Sequence, residues 1–195
     1  RNRGNGPYVN GRSTYRFSLE RGKKGIQLDL KSPEGHDLAM RLVDISDVLT
    51  ENFSVGTMDS LGLGYDAVYG RNPRIIYSSC TGFGQTGPYA HRGAVDIIAQ
   101  GMSGIMSITG EPNSRPMRPG ISLGDSLGGT YLAMGIISAL YDRERSGLGQ
   151  RLDVSMLESV IYHMENPIIR YSATGDVPQQ IGPRHPLSAP FQPFQ

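Results

Sequence analysis

Residues 120–142, GISLGDSLGGTYLAMGIISALYD, decide how the rest of the chain is interpreted. Their apolar side chains recur with the spacing of an α-helix and predict a helix from about Ser126 to Glu144. The side that we expect to be buried carries Leu132, Ile136, Ile137 and Leu140. A long helix with an apolar side is stabilised mainly by what it packs against. We therefore expect strands on either side of it.

Predicted strands flank this helix. The glycine-rich turn after it leads into a strand at Arg151 to Val154, and an earlier strand is predicted at Arg74 to Ser79. Further helices are predicted from Ala94 to Thr109, interrupted by two internal glycines, and from Met156 to about Thr174. Alternation of helices and strands predicts an α/β fold, in which a parallel sheet is covered by helices.

The first fifty residues are predicted to form a strand, a helix and a second strand. Ile26 to Leu30 alternate as in a strand, and Ser32 followed by Pro33 is typical of a helix start. The second strand lies in DVLTEN, residues 47–52, and a right-handed crossover makes the two strands parallel neighbours. The helix between them carries an apolar stripe formed by Leu38, Leu42 and Ile45, flanked by Met40 and Val43.

Composition narrows the class of function. The 195 residues include 19 Lys plus Arg against 18 Asp plus Glu, so the chain lacks the basic excess of a nucleic-acid-binding protein. Cys80 is the only cysteine, which excludes an internal disulfide and a cysteine-rich zinc site. We expect no bound metal and no permanently bound cofactor.

We expect a cytoplasmic protein that is not inserted in a membrane. No uncharged apolar run approaches the roughly 18 residues of a membrane span. The chain begins without methionine and stops at SAPFQPFQ, with no element that marks an end. We therefore expect a fragment of a longer protein.

Asp125 is the residue most suited to chemistry, and two interpretations of it are open. A glycine-flanked Asp before an apolar helix is usually an N-cap. Alternatively it is a nucleophile whose charge is stabilised by the helix dipole and by unpaired N–H groups, which could also hold an oxyanion. Gly128 and Gly129 favour the second interpretation, because glycine weakens a helix by about 1 kcal/mol per residue and clears space for a substrate.

Four stretches together resemble the class III CoA-transferase family, the group of formyl-CoA and carnitine CoA-transferases and α-methylacyl-CoA racemase. They are KKGIQLDLKSPEG (23–35), VLTENFSVGTMDSLGLGYD (48–66), NPRIIYSSCTGFGQTGPYAHRG (72–93) and the segment from GISLGDSLGG to RLDVSM (120–156). The resemblance runs in order from about residue 20 to the C-terminus. It implies the Rossmann-like large domain of that family over residues 1–195, without its first strand and helix and without the small domain.

The resemblance implies a reaction for Asp125. In the family, the aspartate of the motif matching GDSLGG attacks an acyl-CoA to give a mixed anhydride and then an aspartyl-CoA thioester, from which an acceptor carboxylate takes over the CoA. Coenzyme A and acyl-CoA are then substrates, and the acceptor is a carboxylic acid. Family members form interlocked homodimers, which we expect of the intact protein.

The resemblance also implies CoA contacts. The positions concerned are Leu28, Lys31, Asn52, Phe53, Ser54, Val95, Asp96 and Met156. Ser60 and Gly93 replace basic residues that transferases carry at these positions. Either the CoA phosphates then have fewer contacts here, or their cations come from elsewhere, with Arg1, Arg3, Arg12 and Arg16 as candidates.

Two alternatives to a transferase are open. In the racemase branch of the family a histidine precedes the aspartate that matches Asp96 and serves as a base for the α-proton. Here Val95 stands in that place, and valine cannot carry a proton, which argues against an acyl-CoA racemase or isomerase. The other alternative is a non-catalytic CoA-binding subunit, against which the presence of Asp125 argues.

Overall fold

A parallel sheet of three strands forms the centre of the molecule. The structure is a computed structural model and describes residues 6–194. The sheet contains β3 (Val48–Glu51), β4 (Ile76–Thr81) and β5 (Arg151–Ser155), with β4 in the middle. Glu51, Ser79 and Asp153 lie side by side across it. The prediction of an α/β fold with a parallel sheet covered by helices is confirmed.

Helices cover both faces of this sheet. Before β4 the chain forms α2 (Pro33–Asp44), α3 (Thr57–Ser60) and α4 (Tyr65–Arg71). Between β4 and β5 lie α5 (Asp96–Ser103), α6 (Ile105–Ile108) and the 24-residue α7 (Leu123–Ser146). After β5 follow α8 (Met156–Tyr162) and α9 (Glu165–Thr174). A hairpin of β1 (Tyr8–Val9) and β2 (Arg12–Ser13) with helix α1 (Thr14–Glu20) precedes them all.

The two faces of the sheet follow from strand alternation. On one face Tyr77 packs with Val43 of α2 and Val68 of α4 in a buried apolar cluster. The opposite face carries Cys80 and Leu152, and α7 lies against both at Gly128 and Gly135. Helices α5 and α8 pack together and contact α7. This packing leaves an opening at the carboxyl ends of β3 and β4, and the N-termini of helices border it.

The predicted strand Ile26 to Leu30 is wrong. Residues 23–29 have no regular secondary structure, and Ile26 is largely exposed. Asp29 is used instead in the turn before α2, where its carbonyl accepts hydrogen bonds from the N–H and the hydroxyl of Ser32. In the described part of the chain no strand lies beside this segment, and an unpaired strand is not stable in water. β3 accordingly has β4 as its neighbour.

The prediction of which side of α2 is buried is wrong. Val43 is buried and Met40 packs beside it, whereas Leu38, Leu42 and Ile45 are exposed, Ile45 at 81%. Without a strand at 26–30, the stripe has no sheet to cover. The predicted helix start is confirmed, since the Ser32 hydroxyl accepts a hydrogen bond from the N–H of Gly35 and Pro33 is the first helical residue.

Two further predicted helices are divided. The helix expected over residues 94–109 is interrupted at Gly104, whose φ of 89° lies in the left-handed region, but continues through Gly101. The helix expected over residues 156–174 breaks at residues 163–164. Pro167 explains this break, because in a continuous helix its ring would clash with the carbonyl four residues earlier. On α7, Leu132 is buried as predicted but Ile137 is exposed.

Candidate active site

A cavity of about 560 Å³ lies where the carboxyl ends of β3 and β4 face the starts of α5, α7 and α8. Open α/β sheets bind ligands at this edge. The lining comes from residues 52–55, 81–82, 90, 92–97, 118, 125 and 156. The cavity therefore brings together segments that are more than one hundred residues apart in the sequence, and Asp125 is one of its walls.

Asp125 is not the N-cap of its helix. Helix α7 begins at Leu123, three residues earlier than predicted, and its N-cap is Ser122, whose side chain makes no capping hydrogen bond. Asp125 is thus the third helical residue and is exposed at the cavity. In the described part of the chain, its carboxylate takes part in no hydrogen bond or ion pair. Both oxygens are available to a ligand.

The cap of α7 is supplied by Asp96, at the start of α5. Its Oδ1 accepts hydrogen bonds from the N–H of Gly124 (2.8 Å) and the N–H of Asp125 (3.4 Å). Its Oδ2 accepts one from Nε2 of Gln100 at 2.6 Å. The Asp96 side chain is only 14% exposed. Asp96 lines the cavity, but its oxygens already hold the helix start beside Asp125 in place.

The electrostatic surroundings of Asp125 differ from the sequence-based expectation. The helix start was expected to stabilise its negative charge. Instead, partial burial raises the pKa of Asp125 above its ordinary value, and repulsion from Asp96 raises it further. The free helix N–H groups are already bonded to Asp96, so they no longer favour a second charge. The carboxylate of Asp125 is therefore less stabilised in this environment than that of an ordinary surface aspartate.

The two glycines after Asp125 serve different purposes. A Cβ on Gly128 would lie 3.0 Å from Sγ of Cys80 and 3.3 Å from Cγ of Met156. Gly128 is therefore needed for α7 to pack on the end of β4, and the prediction that it clears space for a substrate is wrong. A Cβ on Gly129 would meet nothing within 4 Å. Gly129 alone leaves open space beside Asp125.

Cys80 lies on β4 beneath this helix start. Burial raises the pKa of its thiol to about 11, with further contributions from the charges of Asp125, Asp153 and Glu51. The thiol is therefore protonated at neutral pH. Its backbone carbonyl accepts a hydrogen bond from the side-chain amide of Asn52, which joins the ends of β3 and β4.

Most predicted CoA contacts lie around the cavity. Its walls include Asn52, Phe53, Ser54, Val95, Asp96 and Met156. The Phe53 ring is 48% exposed and can be reached by a ligand, whereas Met156 is nearly buried at the first position of α8. Gly93 also lines the cavity but offers no side chain. The roles of these residues in binding CoA stay predictions.

Leu28, Lys31 and the proposed replacement cations are placed differently. Leu28 and Lys31 are not among the residues that line the cavity. Arg12 and Arg16 line a separate cavity of about 490 Å³, formed by β2, α1 and their flanking residues. Arg1 and Arg3 lie outside the described residues. Phosphate binding by these side chains stays a prediction.

Two arginines in the cavity were not predicted. Arg92 lies over the ring of Tyr89, with 4.9 Å from its guanidinium carbon to the ring centre. Arg118 is 44% exposed, and its Nη2 lies 4.0 Å from Oδ2 of Asp96. The sequence signal for Arg118 was the basic loop RPMRPG, which directly precedes the GISLGD segment. Loops have no periodicity that would show which of their side chains face a site.

The glycine-rich loop after β4 is bonded to two acids of the sheet, Asp153 and Glu51. The N–H of Gln85 donates to Oδ2 of Asp153 at 2.8 Å, and its side-chain amide lies 3.5 Å from Oε1 of Glu51. Gly84 precedes it with a φ of 82°, a conformation that favours glycine. Thr81, Gly82, Ala90, Arg92 and Gly93 of this segment reach the cavity, as expected for a ligand-binding loop.

The described residues form neither a metal site nor a membrane-spanning helix. Within residues 6–194, no group of three or more His, Cys, Asp and Glu side chains is arranged to hold a metal ion. Among the same residues, no helix combines the length and apolar character needed to cross a bilayer.

Comparison with known proteins gives one consistent result. The model of CoA-transferase family III matches residues 1–195. The chain is 48% identical over 191 residues to an acetyl-CoA:oxalate CoA-transferase of Acetobacter aceti, covering 97% of this chain and 49% of that protein. It is 42% identical over 180 residues to a succinate–glutarate CoA-transferase of Agrobacterium fabrum, covering 92% of this chain and 45% of that protein.

A solved structure supports the same assignment. A CAIB/BAIF family protein from Brucella suis superposes with a TM-score of 0.88 at 41% identity, over 94% of this chain and 49% of that one. The chain spans about half the length of the curated relatives it matches. The sequence motifs, the fold and these matches agree, and the chain belongs to CoA-transferase family III.

Proposed function

We propose that the protein containing this chain is a CoA-transferase that moves CoA from an acyl-CoA to a carboxylic acid through Asp125. The observation that carries the proposal is the position of this carboxylate. It is exposed at the cavity, free of partners in the described part of the chain, and held in place through its backbone by Asp96. A carboxylate that served only as the helix cap would accept the hydrogen bonds that Asp96 accepts here.

The proposed reaction needs no other cofactor. An oxygen of Asp125 attacks the thioester carbonyl, the C–S bond breaks, and CoA leaves as a thiolate to give a mixed anhydride. The thiolate then attacks the Asp125 carbonyl carbon, which releases the donor carboxylate and leaves an aspartyl-CoA thioester. The acceptor carboxylate attacks this thioester, forms a second anhydride and frees the thiolate again. Attack of the thiolate on the acceptor carbonyl yields the new acyl-CoA and restores the Asp125 carboxylate.

The surroundings suit this sequence of steps. Anhydride and thioester both retain the activation of the acyl group, so a carboxylate nucleophile does not lose it, provided that water is kept out. The raised pKa of Asp125 makes its ionised form more nucleophilic than that of an ordinary surface aspartate. The nearby ring of Phe53 and the amide of Asn52 offer contacts for the nucleotide part of CoA.

Trapping with hydroxylamine tests the proposal. The intact protein is incubated with acetyl-CoA and hydroxylamine, which converts an aspartyl anhydride or thioester into a hydroxamate that peptide mass spectrometry can locate. We expect the label on Asp125, and a fall in transferase activity of at least about 1,000-fold in Asp125→Asn. Asp142→Asn is the matched control, because Asp142 lies near the other end of α7 and away from the cavity. Undiminished trapping in Asp125→Asn would refute the mechanism.

The choice of acceptor acids follows the relatives. Their names carry oxalate, succinate and glutarate, so an assay panel begins with diacids of different length. The same assay separates the alternatives. A non-catalytic CoA-binding subunit would bind CoA without exchange, and an isomerase would introduce solvent deuterium next to the thioester carbonyl. Val95, which is 62% exposed at the cavity, offers no base for the second reaction.

The interlocked homodimer also belongs to this proposal. Measurement of the solution mass of the intact protein tests it, and a monomer at assay concentrations would refute it.

A further inference from the structure

The cavity beside Asp125 contains a cation that the transfer steps leave unused. Arg118 lines the cavity, and its Nη2 lies 4.0 Å from Oδ2 of Asp96. The other oxygen of Asp96 accepts hydrogen bonds from the N–H groups of Gly124 and Asp125. A single carboxyl group therefore separates the Arg118 guanidinium from the backbone of the proposed nucleophile.

A purely structural role for Arg118 fits these contacts poorly. A distance of 4.0 Å is longer than a hydrogen bond, and an ion pair at this distance with a guanidinium that is 44% exposed contributes little to stability. Asp96 already accepts hydrogen bonds from Gly124, Asp125 and Gln100, so it does not depend on Arg118. In the described part of the chain, nothing accepts a hydrogen bond from the Arg118 guanidinium. Its donors are available to a ligand in the cavity.

The cavity also needs a positive charge near Asp125. Asp96 and Asp125 place two carboxylates at one end of it, and each acid that exchanges CoA arrives with a negative charge of its own. Repulsion would keep such an acid away. A guanidinium beside Asp96 offsets this repulsion, and its planar fork matches a carboxylate with two parallel hydrogen bonds.

We propose that Arg118 binds the second carboxylate of a dicarboxylic acid while the first carboxylate exchanges CoA at Asp125. Arg118 is then the residue that makes the enzyme prefer diacids to monoacids. This inference rests on the proposed function and adds to it a substrate class and the residue that selects it.

Arg118 is better placed for this task than the second arginine of the cavity. Arg92 lies over the ring of Tyr89 in the loop before α5 and makes a cation–π interaction with it. Arg118 instead adjoins the carboxylate that fixes the start of α7. A ligand carboxylate at Arg118 is thus close to the reacting end of the substrate, not to the nucleotide end of CoA.

The test compares acceptors that differ only in the second carboxylate. With acetyl-CoA as donor, kcat/KM is measured in the intact protein for oxalate, malonate, succinate and glutarate, and for the mono-amide of whichever diacid reacts best. We expect Arg118→Gln to lower kcat/KM for the diacid at least about tenfold, the usual effect of losing a charged hydrogen bond, and that for the mono-amide less than about twofold. Arg118→Lys keeps the positive charge but lacks the planar guanidinium, so kcat/KM for the diacid should fall less than in Arg118→Gln.

Arg115→Gln is the matched control. Arg115 lies in the same loop, and its side chain does not line the cavity, so its substitution should alter neither acceptor. An equal loss for diacid and mono-amide in Arg118→Gln would show that Arg118 only positions Asp96, and would overturn the proposal. A raised KM for acetyl-CoA with an unchanged ratio of acceptors would assign Arg118 to CoA and would also overturn it. So would a wild-type enzyme that does not prefer any diacid.

Failure of the proposed function is recognised separately. Formation of the Asp125 hydroxamate from acetyl-CoA requires no acceptor, so its absence counts against the mechanism and not against Arg118. In that case, calorimetric titration of the same diacids into the CoA-bound protein tests whether Arg118 binds a diacid. We expect wild type to bind one of them at least about tenfold more tightly than Arg118→Gln. Equal affinity, or no binding of any diacid to wild type, would refute the role of Arg118.

Discussion

The free backbone N–H groups at the starts of helices α2 and α7 obtain their hydrogen-bond acceptors in opposite ways. In α2, Ser32 accepts the hydrogen bond of Gly35, Pro33 occupies the first helical position, and Glu34 lies in the first turn. All the residues that form the start of α2 therefore lie within four consecutive positions. In α7 the hydroxyl of Ser122 caps nothing, and the exposed N–H groups are bonded to Asp96, in another helix.

This difference explains why the acid at the start of α7 has no hydrogen-bond partner for its carboxylate in the described part of the chain. Because Asp96 satisfies the N–H groups of Gly124 and Asp125, the Asp125 carboxylate is not needed as a cap. A locally capped helix such as α2 uses a side chain of its own start, Ser32, as the cap, so that side chain is already bonded. A helix capped from a distance keeps its own side chains unbonded, and depends on its neighbour for its position.

Removal of the distant cap should have the largest effect on stability. Asp96→Ala deletes the acceptor of Gly124, Asp125 and Gln100, and we expect it to lower the free energy of unfolding by about 2 kcal/mol. Urea denaturation measures this. A loss below about 0.5 kcal/mol would mean that α7 is held by packing alone.

Asp96→Asn sharpens the same comparison through pH. It keeps an oxygen acceptor but removes the charge, which is the second cause of the raised pKa of Asp125 after burial. The pKa of Asp125 should therefore fall. Since an acid nucleophile loses activity as the pH drops through its pKa, the acid limb of the kcat/KM profile should move to lower pH. An acid limb that moves to higher pH would contradict the expected fall in the pKa of Asp125.

The paired cap substitutions come next in size. Ser32→Ala removes a hydrogen bond that α2 uses, and should cost about 1 kcal/mol of stability. Ser122→Ala removes a hydroxyl that makes no capping bond in α7, and should change stability by less than about 0.3 kcal/mol. Thermal denaturation of both variants under identical conditions checks the pair. Equal losses would show that the two helix starts do not differ as described.

A gain in stability, not a loss, is expected at one of the two glycines of α7. A Cβ on Gly129 meets nothing within 4 Å, so Gly129→Ala should stabilise the protein by about 0.5–1 kcal/mol through helix propensity alone. Gly128→Ala must displace Cys80 or Met156 slightly and should be less stable than Gly129→Ala. The midpoint of urea unfolding ranks the two variants, and the reverse order would refute the packing role assigned to Gly128.

Sequence reasoning succeeded where structure is local. The start of α2 and the strands β3, β4 and β5 were predicted within two residues, because capping residues and apolar runs act over short distances. The start of α7 was placed three residues too late because its cap lies 29 positions before Asp125. No periodicity within residues 120–142 could reveal that partner.

The candidate site shows the same division. Asp125 and six of the eight predicted CoA contacts line one cavity, and the motifs that carry the family resemblance pointed to them. Arg118 was missed because it lies in an irregular loop, where only the fold determines which side chains face inward. The strand at Ile26 to Leu30 failed for the opposite reason, since its alternation is real but the described chain offers it no partner.

The burial of Cys80 has a consequence for side reactions. A thiolate near a thioester is normally the stronger competitor for an acyl group, and would trap it as an inert acyl-cysteine. With a pKa of about 11, only about one Cys80 thiol in ten thousand is ionised at pH 7. A protonated thiol beneath the start of α7 therefore competes little with Asp125 for an acyl group in the proposed reaction.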